Sequence, residues 1–253
     1  MPRPADPTAR AALVAAARAE FVKSGIQRAR IEDITHACGL SKGAFYLHFD
    51  SKEALFRELV REVEAEFENV RAERERTARD FLAAHGPVRP KDLKPGSPFG
   101  QALAALHTEQ DRRLLELLWQ WRDVTDVLLR GCQGTEFEGV IWSMLDREVE
   151  RVQGECEALK AARLMRDDIP GEALGLMMVG TYLLVARRLA RLKAKPDFDP
   201  WVASLQKLLS EGTAPRAGAA RRVSPNKRRP PLSPSSSGRA RPRAARASRR
   251  SLS

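Results

Sequence analysis

Apolar residues recur every three to four positions along most of the chain, which is the spacing of helices that bury one face. The first such segment has Leu13, Ala17 and Phe21 at intervals of four residues. Pro7 suits the first helical position before it, and Gly25 is expected to end the helix. No segment of the sequence alternates apolar and polar residues between turn signals, as a half-buried strand would. The pattern therefore predicts an all-α protein with eight or nine helices.

Three short helices, then a long one, then a larger helical part is the predicted order of elements. After the first helix, we expect helices at about residues 31–38, 42–49, 52–85, 99–107, 111–131, 136–165, 171–195 and 200–211. The segment 86–98 contains four prolines and is expected to be a loop. We predict a division of the chain into residues 1–50, 51–212 and 213–253.

The break at Gly39 between two short helices is typical of a helix-turn-helix, in which two helices cross steeply through a tight turn. Glycine tolerates the positive φ that such a turn can require. The small core behind the turn is expected to consist of Leu13, Ala17, Phe21, Ile31, Ile34, Ala37, Leu40, Phe45 and Phe49. Ser41 then begins the helix whose N-terminal end would face a DNA major groove.

Between about residues 10 and 60 the sequence resembles the tetracycline-repressor (TetR) family of bacterial transcriptional regulators. The matching residues are Phe21, Gly25, Ile31, Asp33, Ile34, Gly39, Ser41, Lys42, Gly43, Phe45, Tyr46, His48, Phe49, Lys52, Glu53 and Leu55. The rest of the chain is similar only in being helical. The resemblance implies a three-helix DNA-binding domain in residues 1–50 and a helical effector-binding and dimerisation domain in residues 51–212.

The motif carries side chains that can contact DNA. Gly43 would let the backbone approach DNA closely, and Ser41 and Lys42 lie at a helix start, where free N–H groups favour phosphate. Tyr46 and His48 offer a hydroxyl and a ring N–H to flanking phosphates. The resemblance implies DNA contacts by Ser41, Lys42, Gly43, Tyr46, His48 and Lys52. Core packing of Tyr46, a structural role of His48 and a solvated Lys52 are the alternatives.

The sequence departs from the family pattern at three places. Ala29 and Arg30 stand where the family usually has a Ser or Thr that caps the second helix, and losing that cap costs about 1 kcal/mol of helix stability. Arg30 or Arg28 is expected to contact phosphate instead. Leu47 stands where a polar or aromatic contact to DNA is common. Cys38, where Ala is usual, is interpreted as core packing rather than as a redox sensor.

A homodimer is implied because one helix-turn-helix contacts a single half-site, so that specific binding needs two copies and a palindromic operator in double-stranded DNA. In the family the C-terminal helix pair forms a four-helix dimer bundle. The resemblance therefore implies a dimer interface at Leu174, Met178, Leu184, Val185, Trp201, Leu205 and Leu208. Burial of these residues within one subunit is the alternative.

Large aromatic and methionine side chains of the middle helices often line sites for flat or apolar ligands. The candidates for a pocket that binds an unknown small-molecule effector are Trp119, Trp121, Phe137, Trp142, Met144 and Tyr182. Simple core packing is the alternative for each of them.

The net charge of +11 comes from the end of the chain. Residues 213–253 contain 12 Lys and Arg and no Asp or Glu, which leaves 32 basic and 33 acidic residues in 1–212. This segment is rich in Pro, Ser, Ala and Arg and is predicted to be a disordered basic tail. It is either a solvated extension or an arm that adds salt-sensitive affinity for DNA.

Three cysteines without CxxC spacing and the lack of an apolar run of about 18 residues predict a cytoplasmic protein with no disulfide framework, metal site, cofactor or membrane contact. The favoured hypothesis is a homodimeric repressor that a small molecule releases from its operator. A regulator that binds DNA without any ligand is the second hypothesis. A helical enzyme is the third, and it is disfavoured because the sequence has no HExxH, GxSxG, P-loop or GxGxxG motif.

Overall fold

Helices follow one another from Pro7 to Thr213 in the computed structural model, which describes residues 7–213 except 87, 90 and 93–95. This part of the chain holds nine helices and no strand, so the all-α prediction is confirmed. The helices are α1 (Pro7–Arg28), α2 (Ile31–Ala37), α3 (Lys42–Tyr46), α4 (Lys52–His85), α5 (Pro98–Gln120), α6 (Arg122–Arg130), α7 (Val140–Ala161), α8 (Gly171–Leu189) and α9 (Asp199–Thr213). We call α1–α3 the head and α4–α9 the body.

Two predictions on domain organisation remain open. Close contacts group Met1–Ala217 into one unit, and the division of this unit near residue 50 stays a prediction. The predicted basic tail lies outside the described residues.

The first helix buries the residues that its spacing predicts. Leu13, Ala17 and Phe21 are at most 1% exposed. Gly25 breaks the helix with φ 70° and ψ 167°, and a short helical turn then continues to Arg28. Only glycine adopts such a conformation readily, so this residue sets the direction in which the chain leaves α1.

The second helix differs from its prediction in the face that it buries. Its first residue follows Arg30, which gives no side-chain cap, as the sequence predicts. Ala37, however, is exposed, and Thr35 is buried in its place. The Thr35 hydroxyl donates to the Glu32 carbonyl at 3.1 Å, which satisfies this polar group inside the core.

The third helix is shorter than predicted, because it ends at Tyr46 rather than at Phe49. Beyond Tyr46 the chain turns more tightly, with the His48 amide donating to the Phe45 carbonyl at 2.9 Å. Phe45 and Phe49 are still buried, with ring centroids 5.6 Å apart, so the predicted core contact is kept.

The fourth helix joins the head to the body over 34 residues. Ser51 caps it by accepting a hydrogen bond from the Ala54 amide at 3.0 Å. Near its start, Phe56 packs edge-on against Phe21 of the head and Phe137 of the body, at centroid distances of 5.3 and 4.9 Å. One apolar cluster therefore extends from the head into the body.

The body differs from the predicted elements in several places: α7 ends at Ala161 and α8 at Leu189, before the predicted ends near 165 and 195, and two further differences have a local cause. The segment 99–120 forms one helix rather than two, because nothing in it breaks a helix, and the break occurs at Trp121 (φ −105°, ψ 17°). The next helix begins at Val140 rather than near residue 136, because Gly139 has φ 90°, which excludes it from a helix.

Two further apolar clusters hold α5, α7, α8 and α9 together. Leu115, Leu189 and Val202 form the centre of one, and Val152, Cys156 and Leu174 belong to the other. Cys38, Cys132 and Cys156 are all free thiols. Among the described helices, none is both long and apolar enough to cross a bilayer.

Candidate nucleic-acid interface and body cavity

Six of the eight predicted DNA-contacting residues have exposed side chains or backbone, namely Arg28, Arg30, Ser41, Lys42, Gly43 and Tyr46. They come from the end of α1, the start of α2 and α3. Glu32 connects two of them, because its carboxylate lies 2.7 Å from the Lys42 ammonium and 3.9 Å from the Arg30 guanidinium. The starts of α2 and α3 therefore lie side by side.

The start of α3 is open to a large ligand. The Ser41 hydroxyl accepts a hydrogen bond from the Ala44 amide at 3.1 Å, which leaves its own proton available for donation. A methyl group added at Gly43 would contact only the Ser41 hydroxyl, at 3.7 Å. Packing inside the protein thus does not require glycine at position 43. A close approach of an external molecule to the backbone would require it.

Lys42 carries a neutralising partner that the sequence analysis missed. The hydrogen bond between Lys42 and Glu32 raises the pKa of the lysine and lowers the pKa of the glutamate. Both side chains are about half exposed, so water screens the pair. The pairing depends on how α2 packs against α3. Two residues that lie ten positions apart in the sequence give no indication that they form an ion pair.

Lys52 lies in a different place from the one predicted. Its ammonium donates to the carbonyls of Gln27 and Ala29, at 2.9 and 2.8 Å, and the side chain is only 18% exposed. It therefore joins the start of α4 to the chain between α1 and α2 rather than standing free for a phosphate. His48 is half-buried beside Phe49, with ring centroids 6.3 Å apart. A phosphate contact by His48 stays a prediction, whereas the geometry of Lys52 favours a structural role over the predicted phosphate contact.

Tyr46 and Leu47 point out of the head. Their side chains are 50% and 63% exposed, while Phe45 between α1 and α3 is fully buried. This excludes the core-packing alternative for Tyr46. Leu47 would present an apolar side chain to any molecule bound at this surface.

Two contacts that the sequence did not predict join α1 to the body. The Arg18 guanidinium donates to both Asp123 carboxylate oxygens, at 2.7 and 2.5 Å, and lies 4.8 Å from the centre of the Trp121 ring. The Gly131 carbonyl accepts from the Ile26 amide at 3.0 Å. A methyl group at Gly25 would lie 3.1 Å from that carbonyl oxygen. The backbone near the end of α1 and the backbone that follows α6 are therefore in direct contact.

A cavity of about 530 Å³ lies among α4, α5, α6, α7 and α8. Of the six residues predicted for a pocket, Met144 and Tyr182 line this cavity. The other four, namely Trp119, Trp121, Phe137 and Trp142, do not line it.

The four aromatic residues outside the cavity have other surroundings. Trp121 and Phe137 are buried in the cluster that joins head and body. Trp119 packs against the cluster of α5, α8 and α9 and carries the Arg122 guanidinium 3.9 Å from its ring centre. Trp142 is 54% exposed.

One end of the cavity is polar. Asp111 is 1% exposed, accepts a hydrogen bond from Gln206 and lies 3.7 Å from the Arg74 guanidinium. The Tyr182 hydroxyl is buried without a hydrogen-bond partner among the described residues. Burial, and then the nearby Asp111 charge, raises the pKa of Tyr182. Burial, and then the Arg74 charge, lowers the pKa of His107, which favours the neutral ring.

The predicted dimer residues of α8 and α9 divide into two groups. Leu174 belongs to an apolar cluster of the same chain, and Met178, Val185 and Trp201 pack against such clusters, as burial within one subunit would predict; their place in a dimer interface stays a prediction. Leu205 is half-buried, whereas Leu184 and Leu208 are 63% and 73% exposed. Leu176 and Met177 add exposed apolar side chains on α8, at 56% and 66%.

No group of three or more His, Cys, Asp or Glu suited to a metal ion occurs among the residues that the structure describes. The candidate sites are therefore the exposed surface of the head, the body cavity and the apolar face of α8 and α9.

Comparison with known proteins bears on the head. Residues 13–59 match the family model described as bacterial regulatory proteins, tetR family. A segment of 35 residues is 60% identical to an uncharacterised HTH-type transcriptional regulator, YerO, of Bacillus subtilis (strain 168). That segment is 14% of this chain and 12% of the relative, so it carries no information on the rest of either protein.

Comparison with solved structures bears on the fold. A TetR-like transcriptional regulator from Rhodococcus sp. RHA1 has a TM-score of 0.53 and 19% identity, covering 83% of this chain and 96% of that one. A TetR-family regulator from Bordetella parapertussis 12822 has a TM-score of 0.52 and 20% identity, covering 80% and 94%. The chain thus shares the fold of these regulators, at 19% and 20% sequence identity.

Proposed function

We propose that this chain, a member of the tetR family of bacterial regulatory proteins, is a homodimeric repressor that binds a palindromic operator and is released by a small molecule. The observation that carries the proposal is the exposed start of α3. There Ser41, Lys42, Gly43 and Tyr46 face outward over a buried Phe45.

DNA binding by this surface is supported by its chemistry. A bare backbone at Gly43, a free hydroxyl proton on Ser41 and the cations of Arg28 and Arg30 suit phosphates and base edges. Lys42 reaches DNA by exchanging its exposed partner Glu32 for phosphate. That exchange costs little, since a half-exposed ion pair contributes about 0–1 kcal/mol.

Dimerisation through α8 is supported by the exposure of its apolar face. Met177 and Leu184 lie seven residues apart, on one face of the helix. A methyl group at Gly180, between them, would contact nothing within 4 Å, so a second helix has room to approach. Exposed apolar residues that cluster in this way are typical of subunit interfaces.

Control by a small molecule is supported by the position of α4. Its first residue, Lys52, is bound to the α1–α2 connection, while Val63, Phe67 and Arg74 further along line the cavity. A ligand that fills the cavity better in one position of α4 than in another would thereby bias the position of the head.

Selection from a pool of random duplexes, at a salt concentration of about 0.15 M, tests the DNA-binding proposal. We expect an inverted repeat whose half-sites are about one helical turn apart or more. Recovery of unrelated sequences, with no enrichment over successive rounds, would mean that the chain is not a sequence-specific regulator.

Sedimentation analysis tests the dimer separately. Leu184→Glu would place a charge on the apolar face and is expected to give a monomer. Leu82→Glu changes another exposed leucine, on α4, and is expected to leave the dimer intact. A dimer that survives Leu184→Glu would place the interface elsewhere.

A regulator that binds DNA without any ligand is the second candidate function, and the head surface supports it equally. Only the cavity favours the ligand-controlled form, because a body that served purely as a dimer scaffold would have no need for a cavity of about 530 Å³ among its helices.

A further inference from the structure

The charges around the body cavity cancel. Four arginines line it, and three of them pair with lining glutamates: Arg71 with Glu68, Arg147 with Glu64, and Arg151 with Glu148. These three pairs lie on α4 and α7 and are partly exposed, so they mark the open side of the cavity.

The fourth arginine stands at the polar end. Arg74 lies 3.7 Å from Asp111, which is buried and also accepts from Gln206. The inner pair is therefore neutral as well. A ligand whose charged group reached this buried inner end would leave one charge uncompensated there, where desolvation makes it costly.

The walls between these two ends are apolar. They are formed by aliphatic and aromatic side chains of all five helices, including Val63, Phe67, Leu118, Leu128, Ile141 and Val179. Such walls favour a hydrocarbon body and offer it no directional contact.

Two hydrogen-bond donors line the polar end, the Tyr182 hydroxyl and the Arg74 guanidinium. The Tyr182 hydroxyl is buried and makes no well-formed hydrogen bond among the described residues, although the Asp111 carboxylate lies near enough to raise its pKa. The Arg74 guanidinium has five N–H groups, and among the described residues Asp111, at 3.7 Å, is its nearest charged partner. The carboxylate of Asp111 already accepts from Gln206, and Gln110 donates to the Arg74 carbonyl and to Thr77.

We propose that the cavity binds an uncharged, mainly hydrocarbon molecule that carries one carbonyl or hydroxyl oxygen, and that Tyr182 and Arg74 donate hydrogen bonds to this oxygen. The inference rests on the proposed function of the cavity as the effector site. It adds the chemical class of the effector, which the family resemblance does not give.

Isothermal titration calorimetry of the DNA-free full chain at neutral pH, with three probes of equal length, tests the charge argument. The probes are 2-nonanone, nonanoate and nonylamine. We expect 2-nonanone to bind at least about tenfold more tightly than either charged probe. Tighter binding of nonanoate or nonylamine, equal binding of all three, or no binding of 2-nonanone would each overturn the proposal.

Tyr182→Phe tests the hydrogen bond. This change removes one oxygen and keeps the ring, and it is expected to weaken 2-nonanone binding roughly tenfold. Tyr46→Phe makes the same change at the other tyrosine of the chain, in the head, and is expected to leave the affinity for 2-nonanone unchanged. Unchanged affinity in Tyr182→Phe would remove Tyr182 from the site.

The DNA selection described above separates the two proposals. A chain that binds 2-nonanone but selects no DNA sequence would contradict the proposed function and support the ligand class. A chain that selects an operator but binds none of the three probes would support the proposed DNA-binding function and contradict the proposed ligand class.

Discussion

Lys52→Met is expected to destabilise the protein without changing the number of phosphates that it contacts. In the structure the ammonium donates to two carbonyls, at 2.9 and 2.8 Å, where the chain passes from α1 to α2. A hydrogen bond to a charged group contributes roughly 1.5–3 kcal/mol, and water can replace part of this near the surface, so we expect a loss of about 2 kcal/mol. For a protein of this size that corresponds to a fall of about 4–8 °C in the melting temperature, measured by circular dichroism.

Lys42→Met provides the matched control, because it is the same substitution at a half-exposed lysine of the same surface. We expect it to change the stability by less than about 0.5 kcal/mol. It should also reduce the slope of log affinity against log salt concentration by about 0.9, the loss of one phosphate contact. In Lys52→Met the slope should stay as in the parent protein. An unchanged melting temperature together with a reduced slope in Lys52→Met would show that Lys52 contacts phosphate and would refute this reasoning.

Two further predictions concern the joint between head and body and the polar end of the cavity. Gly25→Ala should destabilise the fold by about 1–3 kcal/mol, because φ is 70° and the new methyl group would lie 3.1 Å from the Gly131 carbonyl oxygen. The control Gly154→Ala, on the exposed side of α7, should stabilise the fold by about 0.5–1 kcal/mol. Chemical denaturation measures both changes, and equal effects of the two variants would contradict this prediction. Burial and Arg74 lower the pKa of His107 below its usual 6.5, so its contribution to stability is present above that pH and is lost as the pH falls below it. His107→Gln should therefore flatten the fall in melting temperature between about pH 7.5 and 5.5, and an unchanged pH profile would show that His107 titrates normally.

The head could be predicted closely because its signals are local. The start of α3 at Ser41, the turn at Gly39 and the break at Gly25 all depend on a few neighbouring residues, and the structure has each of them. Thr35 was missed because a short helix gives too few positions to fix its phase, and a threonine can enter the core once its hydroxyl bonds to the preceding turn.

The role of Lys52 could not be predicted, because it depends on which carbonyls the fold brings near. Its position at a helix start suggests an exposed charge, and only the packing of α4 against the end of α1 places the ammonium on Gln27 and Ala29. The Arg18–Asp123 contact has the same origin, since its partners are 105 residues apart.

The cavity could not be predicted from composition, because it is the space that five helices leave between them. The aromatic side chains that seemed to mark it were assigned by residue type alone. Trp121 lies at the break between α5 and α6, and its side chain is buried in the core. Trp142 lies near the start of α7, which Gly139 sets, and its side chain is exposed. Tyr182 was placed correctly, but its lack of a hydrogen-bond partner depends on the surrounding helices and leaves no trace in the sequence.

The ratio of affinities for the selected operator and for a scrambled duplex of equal length, at a salt concentration of about 0.15 M, tests the central claim most directly. We expect a ratio of roughly 10³ or more for the parent protein. In Gly43→Leu the ratio should fall towards one, while the melting temperature stays unchanged, because the new Cβ would contact only the Ser41 hydroxyl in the protein, at 3.7 Å, and the side chain would meet DNA in the complex. A ratio near one for the parent protein, or an undiminished ratio in Gly43→Leu, would contradict the assignment of DNA recognition to the start of α3.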